Sequence, residues 1–297
     1  MSAPPFPRGL VQPEGAYRFG LEALLLAAFG ARTLAGRRAG SRGAPRHETA
    51  VAELGAGCGA ALLGVALRVP HAACLGLERE PALVEAARAN VAALGLDGRV
   101  RFRVADVAEK TALTHLARAE GPRDMVLANP PWGLPGRGRP SPSPLRENAL
   151  RGGGRPTHAT TREEPAAGDA FPEFCAAAAV LLRHKGAFCC IVPALALTRI
   201  CAALDRARLG LRGILPVRPR AHLPAHRLLV LARKGACAEP QLFSPLTLHG
   251  GAAKGTTGRG PNWTAAARAF CPWLAATPPP QPKTCADAPP SPPGGLP

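Results

Sequence analysis

Between residues 50 and 128, short apolar runs alternate with helical patterns, and this alternation restricts the fold more than any other feature. Ala50 to Leu54 reads as a strand, and "CGAALLGVALRV" opens a helix. "AACLGLE", 72 to 78, is a second strand. "PALVEAARANVAALG" is a helix with Pro81 in its first turn and Gly95 as its stop. Arg99 to Val104 gives strand three, 107 to 119 a helix, and Asp124 to Ala128 strand four. Downstream, "FPEFCAAAAVLLRHKG" reads as a helix ended by Gly186 and "AFCCIVP" as strand five. A helix over 194 to 209, strand six over Gly213 to Val217 and strand seven in "HRLLVLARK" follow. Units of this length imply an α/β fold, a mostly parallel seven-stranded sheet with helices on both faces. No full crossover helix separates the last two strands, so they can pair antiparallel.

Three segments lie outside this pattern. Residues 1 to 47 precede the first strand and hold an apolar helix, Leu21 to Thr33, followed by a Gly/Arg-rich connection, 36 to 47. Residues 133 to 168 are rich in Gly, Pro and Arg and lack periodicity. "PPPQPKTCADAPPSPPGGLP", 278 to 297, cannot supply a core and is expected to be disordered. The implied division is an N-terminal segment (1–47), a domain (48–275) with a basic insertion (133–168), and a tail (276–297). "GRGPNWTAAARAF" reads as a short helix capped by Thr264.

The formal net charge is +17. It favours a polyanionic partner, most simply nucleic acid, although GC-rich coding would enrich Arg, Ala, Gly and Pro together. No apolar run reaches the roughly 18 residues of a spanning helix, and the start has no signal-peptide core. A cytoplasmic protein, without a membrane partner and monomeric, is expected. The nine cysteines include no C-x-x-C pair. They read as small core residues in a reducing compartment, with Cys189 and Cys190 on opposite faces of a strand. His222 and His226 flank Pro224, which forbids the helix that would turn their spacing into a metal site. No metal is expected.

"ELGAGCG", Glu53 to Gly59, joins strand one to its helix. Gly55, Gly57 and Gly59 allow a tight turn and close approach of a ligand to backbone. The spacing G-x-G-x-G departs from the dinucleotide fingerprint G-x-G-x-x-G. Glu78 ends strand two, where a carboxylate can accept both ribose hydroxyls of a nucleoside. Asp106 follows strand three and can accept from an adenine amine. Each acid alone would pass for an ordinary strand-end residue. In this order they suit a nucleoside without pyrophosphate, such as S-adenosylmethionine, with Glu53 comfortable near a positive ammonium or sulfonium.

"RDMVLANPPWG" supplies the second half of a site. Pro130 and Pro131 stop strand four in a rigid turn poor in donors. The Asn129 amide oxygen and the Pro130 carbonyl oxygen are left as acceptors for the two hydrogens of a planar amine. Trp132 offers a flat face to a base. The catalytic terms are alignment and electrostatics, and no strong base is needed.

"ELGAGCG … LERE … ADV … NPPW" resembles the class I S-adenosylmethionine-dependent methyltransferases, Rossmann-like enzymes whose N/D-P-P-Y/F/W motif serves amino-group acceptors. The resemblance covers roughly residues 5 to 260. "RGLVQPEGAYRFGLEALLLAAF" is similar to the segment before strand one in bacterial tRNA adenine-N6 methyltransferases that act next to the anticodon of a valine tRNA. The resemblance implies that Tyr17, Arg18, Phe19 and Gly20 fold over the cofactor. It also implies catalytic roles for Asn129, Pro130, Pro131 and Trp132, and cofactor contacts from Glu53, Gly55, Gly57, Gly59, Glu78, Asp106 and Asn129. Glu22 stands where the family has Asp, and Trp132 where it has Tyr. Arg137, Arg139, Arg146, Arg151 and Arg155, with Arg162, either grip RNA or belong to a solvated insertion. Other acceptors stay open: a release-factor glutamine, a ribosomal RNA guanine amine, or DNA. So does a non-catalytic RNA-binding chain retaining the fold.

Overall fold

The side chains along each strand alternate between two apolar layers, one on each face of the sheet. Val51, Cys74, Met125, Leu127, Cys189 and Leu229 enter one layer. Ala52, Leu75, Val126, Ala128, Cys190 and Val230 enter the other. The neighbouring thiols of Cys189 and Cys190 thus part to opposite faces, as the strand period demands. The computed structural model that shows this describes residues 6–16, 18–40, 48–132, 170–250 and 262–276.

The strands are β1 (Thr49–Leu54), β2 (Ala72–Glu78), β3 (Val100–Val104), β4 (Arg123–Ala128), β5 (Leu182–Pro193), β6 (Leu209–Arg218) and β7 (Arg227–Lys234). Two short strands, β8 (Gln241–Leu242) and β9 (Leu246–Thr247), add to β6 at the edge. The order is β3-β2-β1-β4-β5-β7-β6-β8. Strands β1 to β5 pair in parallel, and β7 runs antiparallel to both β5 and β6. The chain winds outward from β1 to β3 and then crosses to β4 on the other side. That reversal opens a crevice between β1 and β4, at the carboxyl ends of both.

Helices α1 (Leu21–Gly40), α2 (Ala60–Arg68) and α3 (Pro81–Ala93) cover one face with the short α7 (Ala265–Phe270). Helices α4 (Lys110–Glu120), α5 (Phe171–Leu181) and α6 (Leu197–Arg206) cover the other. Thr264 caps α7, its hydroxyl accepting from the Ala267 N–H at 3.0 Å.

The sheet has nine strands where seven are expected, β6 begins at Leu209 in place of Gly213, the helix expected over 194–209 spans Leu197–Arg206, and two helix ends differ more. The helix expected to run to Gly186 stops at Leu181, because Leu182 turns extended and joins β4 opposite Arg123. The register then slips, and Lys185 takes a left-handed φ of 59° within the irregular stretch. Helix α1 runs seven residues beyond the expected Thr33 and is no loose cover. Leu24 to Ala28 are at most 3% exposed. A Cβ on Gly64 of α2 would stand 2.7 Å from the Ala27 Cβ, so the two helices meet at a distance only glycine allows.

Candidate active site

The register of the sheet sets the site. Leu54 of β1 lies opposite Leu77 of β2 and Ala128 of β4, and Glu78 lies opposite Val104 of β3. The next residues out, Gly55, Glu78, Asn129 and the Ala105–Asp106 pair, therefore gather on one edge across four adjacent strands. That edge is about 14 Å wide at the usual strand spacing.

Between β1 and α2 the chain turns through three positive-φ glycines: Gly55 (61°), Gly57 (56°) and Gly59 (88°). The turn is pinned by Ala56 N–H to the Leu77 carbonyl at 3.0 Å and Gly59 N–H to the Ala56 carbonyl at 2.9 Å. A Cβ on Gly59 would strike the Phe102 ring at 2.6 Å, while no described atom lies within 4 Å of the same position on Gly57. Gly59 is thus required by packing, and Gly57 faces space left open by the described residues. Glu78 is buried and reaches into the turn. Its Oε2 accepts from Gly57 N–H at 2.8 Å; its Oε1 accepts from Arg79 N–H at 2.8 Å and Glu80 N–H at 3.1 Å. A carboxylate has about four acceptor directions. One on Oε2 is left, so the carboxylate has room for one ribose hydroxyl without breaking a bond, where the sequence suggested two. The donor set still fits S-adenosylmethionine: an open backbone turn, an acid on one rim and Asp106 beyond it. Asp106 Oδ1 accepts from Ala108 N–H at 2.9 Å, and no donor among the described residues reaches Oδ2.

Across the crevice, Asn129 is half-buried, and no hydrogen bond to its side chain is formed by any described residue. Pro130 behind it is buried. Trp132 is built into an aromatic row: Phe171 lies 5.3 Å away at 30°, and Phe188 lies 6.5 Å beyond that. The Arg199 guanidinium stands 5.8 Å over the indole.

The crystal structure of a predicted O-methyltransferase from Agrobacterium tumefaciens superimposes with a TM-score of 0.57 at 23% identity. The match covers 86% of this chain and 96% of that one. The fold is the class I methyltransferase fold. Two curated relatives, release factor glutamine methyltransferases of Rhodospirillum rubrum and Bradyrhizobium diazoefficiens, are 37% and 34% identical over 82 residues. Those stretches make up 28% of this chain and 23% and 25% of the relatives, so the match spans about a quarter of their length. No family model matches the chain.

Within this methyltransferase fold, three residues of the site were not singled out from the sequence. Asn90 of α3, 1% exposed, holds three backbone groups at once. It accepts from Val11 N–H at 2.6 Å and donates to the carbonyls of Val11 and Cys58, both at 3.0 Å. It fastens the N-terminal segment to the glycine turn. A polar residue on the buried side of an amphipathic helix is the signal that marks it. Glu173 opens α5 near Asp106; partial burial and the Asp106 charge raise its carboxyl, and Arg79 opposes them. Arg199, over Trp132, lies 67 positions away in sequence and carries no local signal. Glu22 pairs with Arg227 at 3.3 Å, tying the start of α1 to β7. Phe19 N–H donates to Gln12 Oε1 at 3.1 Å, and Gly20 leads directly into α1. Tyr17 and the arginines at 137, 139, 146, 151, 155 and 162 lie outside the described residues, as do the insertion and residues 277–297 of the tail. Among the described residues no cluster suited to a metal occurs, and no helix is long and apolar enough to cross a membrane.

Glu53 is not an open charge in the crevice. It is 3% exposed and accepts from the Leu62 N–H at 2.8 Å. Burial, and to a lesser degree the charge of Glu78, push its pKa up to about 8, against the pull of the Leu62 bond. The folded chain therefore keeps a proton that the unfolded chain loses from about pH 4.5 upward. Stability falls as pH rises from there to about 8, by up to ~5 kcal/mol. Glu53→Gln keeps the acceptor and removes the titration. The melting temperature of the variant should gain on the wild type from pH 5 to pH 8; a constant difference across that range would show Glu53 ionised throughout. The thiol of Cys58, within the glycine turn, is likewise held by burial at about 11 and is no nucleophile at neutral pH.

Proposed function

We propose that this chain is an S-adenosylmethionine-dependent N-methyltransferase that modifies the N6 amino group of an adenine in tRNA. One observation carries the reading. Asn129, with no hydrogen-bonding partner among the described residues, follows β4 beside the glycine turn, where the sheet reverses direction. An amide oxygen and the adjacent proline carbonyl suit the two hydrogens of a flat NH2 group, and accepting both favours a pyramidal, nucleophilic nitrogen. Bound S-adenosylmethionine would supply the methyl group and a sulfonium charge. Gly55, Gly57, Glu78 and Asp106 would hold it. The amine turns acidic as it is alkylated, so its proton can pass to water without a strong base. Trp132, stiffened by Phe171, would carry the base. The excess of 37 basic over 20 acidic residues supports a nucleic-acid acceptor.

A second reading keeps the site and changes the acceptor to the side-chain amide of a release-factor glutamine, the substrate named for the two curated relatives. The test is transfer of labelled methyl from S-adenosylmethionine to total tRNA, ribosomal RNA, DNA and release factor, assayed separately. N6-methyladenosine in tRNA is the expected product. Label confined to protein would establish the second reading, and no cofactor binding would remove both.

A further inference from the structure

From residue 206 to 238 the chain has seven arginines, one lysine and no carboxylate. The middle of this stretch is the β6–β7 turn, where Arg220, His222 and His226 are exposed. The turn shares the edge of the sheet that holds Asn129. Arg227 lies opposite Pro193 of β5, and Cys190 of β5 lies opposite Ala128 of β4. The turn is therefore two strand spacings to the side of Asn129, about 10 Å, and three residues farther out, about 10 Å again. It is held firmly. Ala194 N–H donates to the His226 carbonyl at 3.1 Å, and His249 N–H to the Pro219 carbonyl at 2.8 Å. Beneath it lies a cavity of about 160 Å³ with walls of Leu21, Leu25, Val217 and Leu248. Glu22, the one acid among the described residues that line this cavity, pairs with Arg227 at 3.3 Å.

We propose that the turn and cavity form a subsite for an RNA nucleotide flanking the methylated one. This rests on the tRNA reading and deepens it. Arg220, His222 and His226 present donors with no competing carboxylate among the described residues, the arrangement that takes a phosphate. The slot has room for one heterocycle between the apolar walls of Leu21, Leu25, Val217 and Leu248, with Glu22, His226 and Arg227 at its polar side. The separation from Asn129 excludes the slot as the seat of the reacting base, which must touch the elbow. A strand entering the site thus has its target splayed towards Asn129 and its neighbour seated at the turn, which pulls the two bases apart.

The test is titration of the full chain with tRNA over a series of salt concentrations, using wild type, Arg220→Gln, the triple variant Arg220→Gln/His222→Ala/His226→Ala, and Leu21→Trp, which enlarges a side chain of the cavity wall. S-adenosylmethionine binding serves as the folding control, and all three positions of the triple variant are exposed. Affinity for tRNA should fall about tenfold in the triple variant. The salt slope should drop by about one unit in both Arg220 variants. Leu21→Trp should weaken binding with an unchanged slope. Wild type that binds tRNA, with Arg220→Gln and the triple variant matching it in affinity and slope, overturns the subsite and leaves the tRNA reading standing. Wild type that binds cofactor but not tRNA overturns that reading, and the subsite with it.

Discussion

Asn129→Ala should lower turnover about 10²- to 10³-fold and leave the dissociation constant for S-adenosylmethionine within about threefold of wild type. The asymmetry follows from where the residue stands. Its amide is half-buried, and no described residue bonds to it, so alanine strands no partner and the fold should lose less than about 0.5 kcal/mol. What alanine removes is an acceptor that matters while the amine nitrogen rehybridises. The loss belongs to the transition state and falls on kcat rather than on cofactor binding. Asn129→Asp keeps an acceptor oxygen on the same stem and should lose much less. Single-turnover methyl transfer alongside calorimetric cofactor titration separates the cases. Loss of cofactor affinity with turnover preserved would make Asn129 a wall of the cofactor pocket and end its role in the elbow.

The legible parts of this site are those governed by local chemistry. Glycines at 55, 57 and 59 announce left-handed backbone, and all three adopt it. Two prolines after Asn129 end β4 where steric rules say it must end. Strand-end acids follow from the period of the strands. What the sequence hid depends on contacts distant along the chain. Asn90 binds Val11, 79 positions away, and Arg199 meets Trp132 across 67; no local pattern encodes either meeting. The end of α5 was misplaced for a related reason. Gly186 is a plausible helix stop, but pairing of Leu182 with Arg123 across the sheet decides the boundary first. Glu53 shows the remaining gap. An acid before a glycine turn reads as a charge facing a ligand, and only the depth of its burial shows what raises its pKa.

Glu78→Gln is expected to weaken S-adenosylmethionine binding about 100-fold and to lower the unfolding free energy by about 1–3 kcal/mol. Both effects come from one geometric fact. Each oxygen of the carboxylate already faces backbone N–H groups: Arg79 and Glu80 at Oε1, Gly57 at Oε2. Glutamine has one oxygen and one NH2 group. Whichever way the amide turns, its own donors meet one or two backbone donors in a site only 8% exposed, and at least one N–H goes unpaired. If the NH2 faces Gly57, the glycine turn loses its anchor, and the single acceptor direction left for a ribose hydroxyl becomes a donor. If it faces Arg79 and Glu80, the start of α3 is disturbed and the negative charge is gone from the rim. Either orientation costs affinity through the same residue, so the two losses should appear together. Calorimetric titration and denaturant unfolding on one preparation would test the link. Stability reduced with affinity intact would reduce Glu78 to a brace of the glycine turn, and the cofactor's ribose would then need another acceptor on this edge of the sheet.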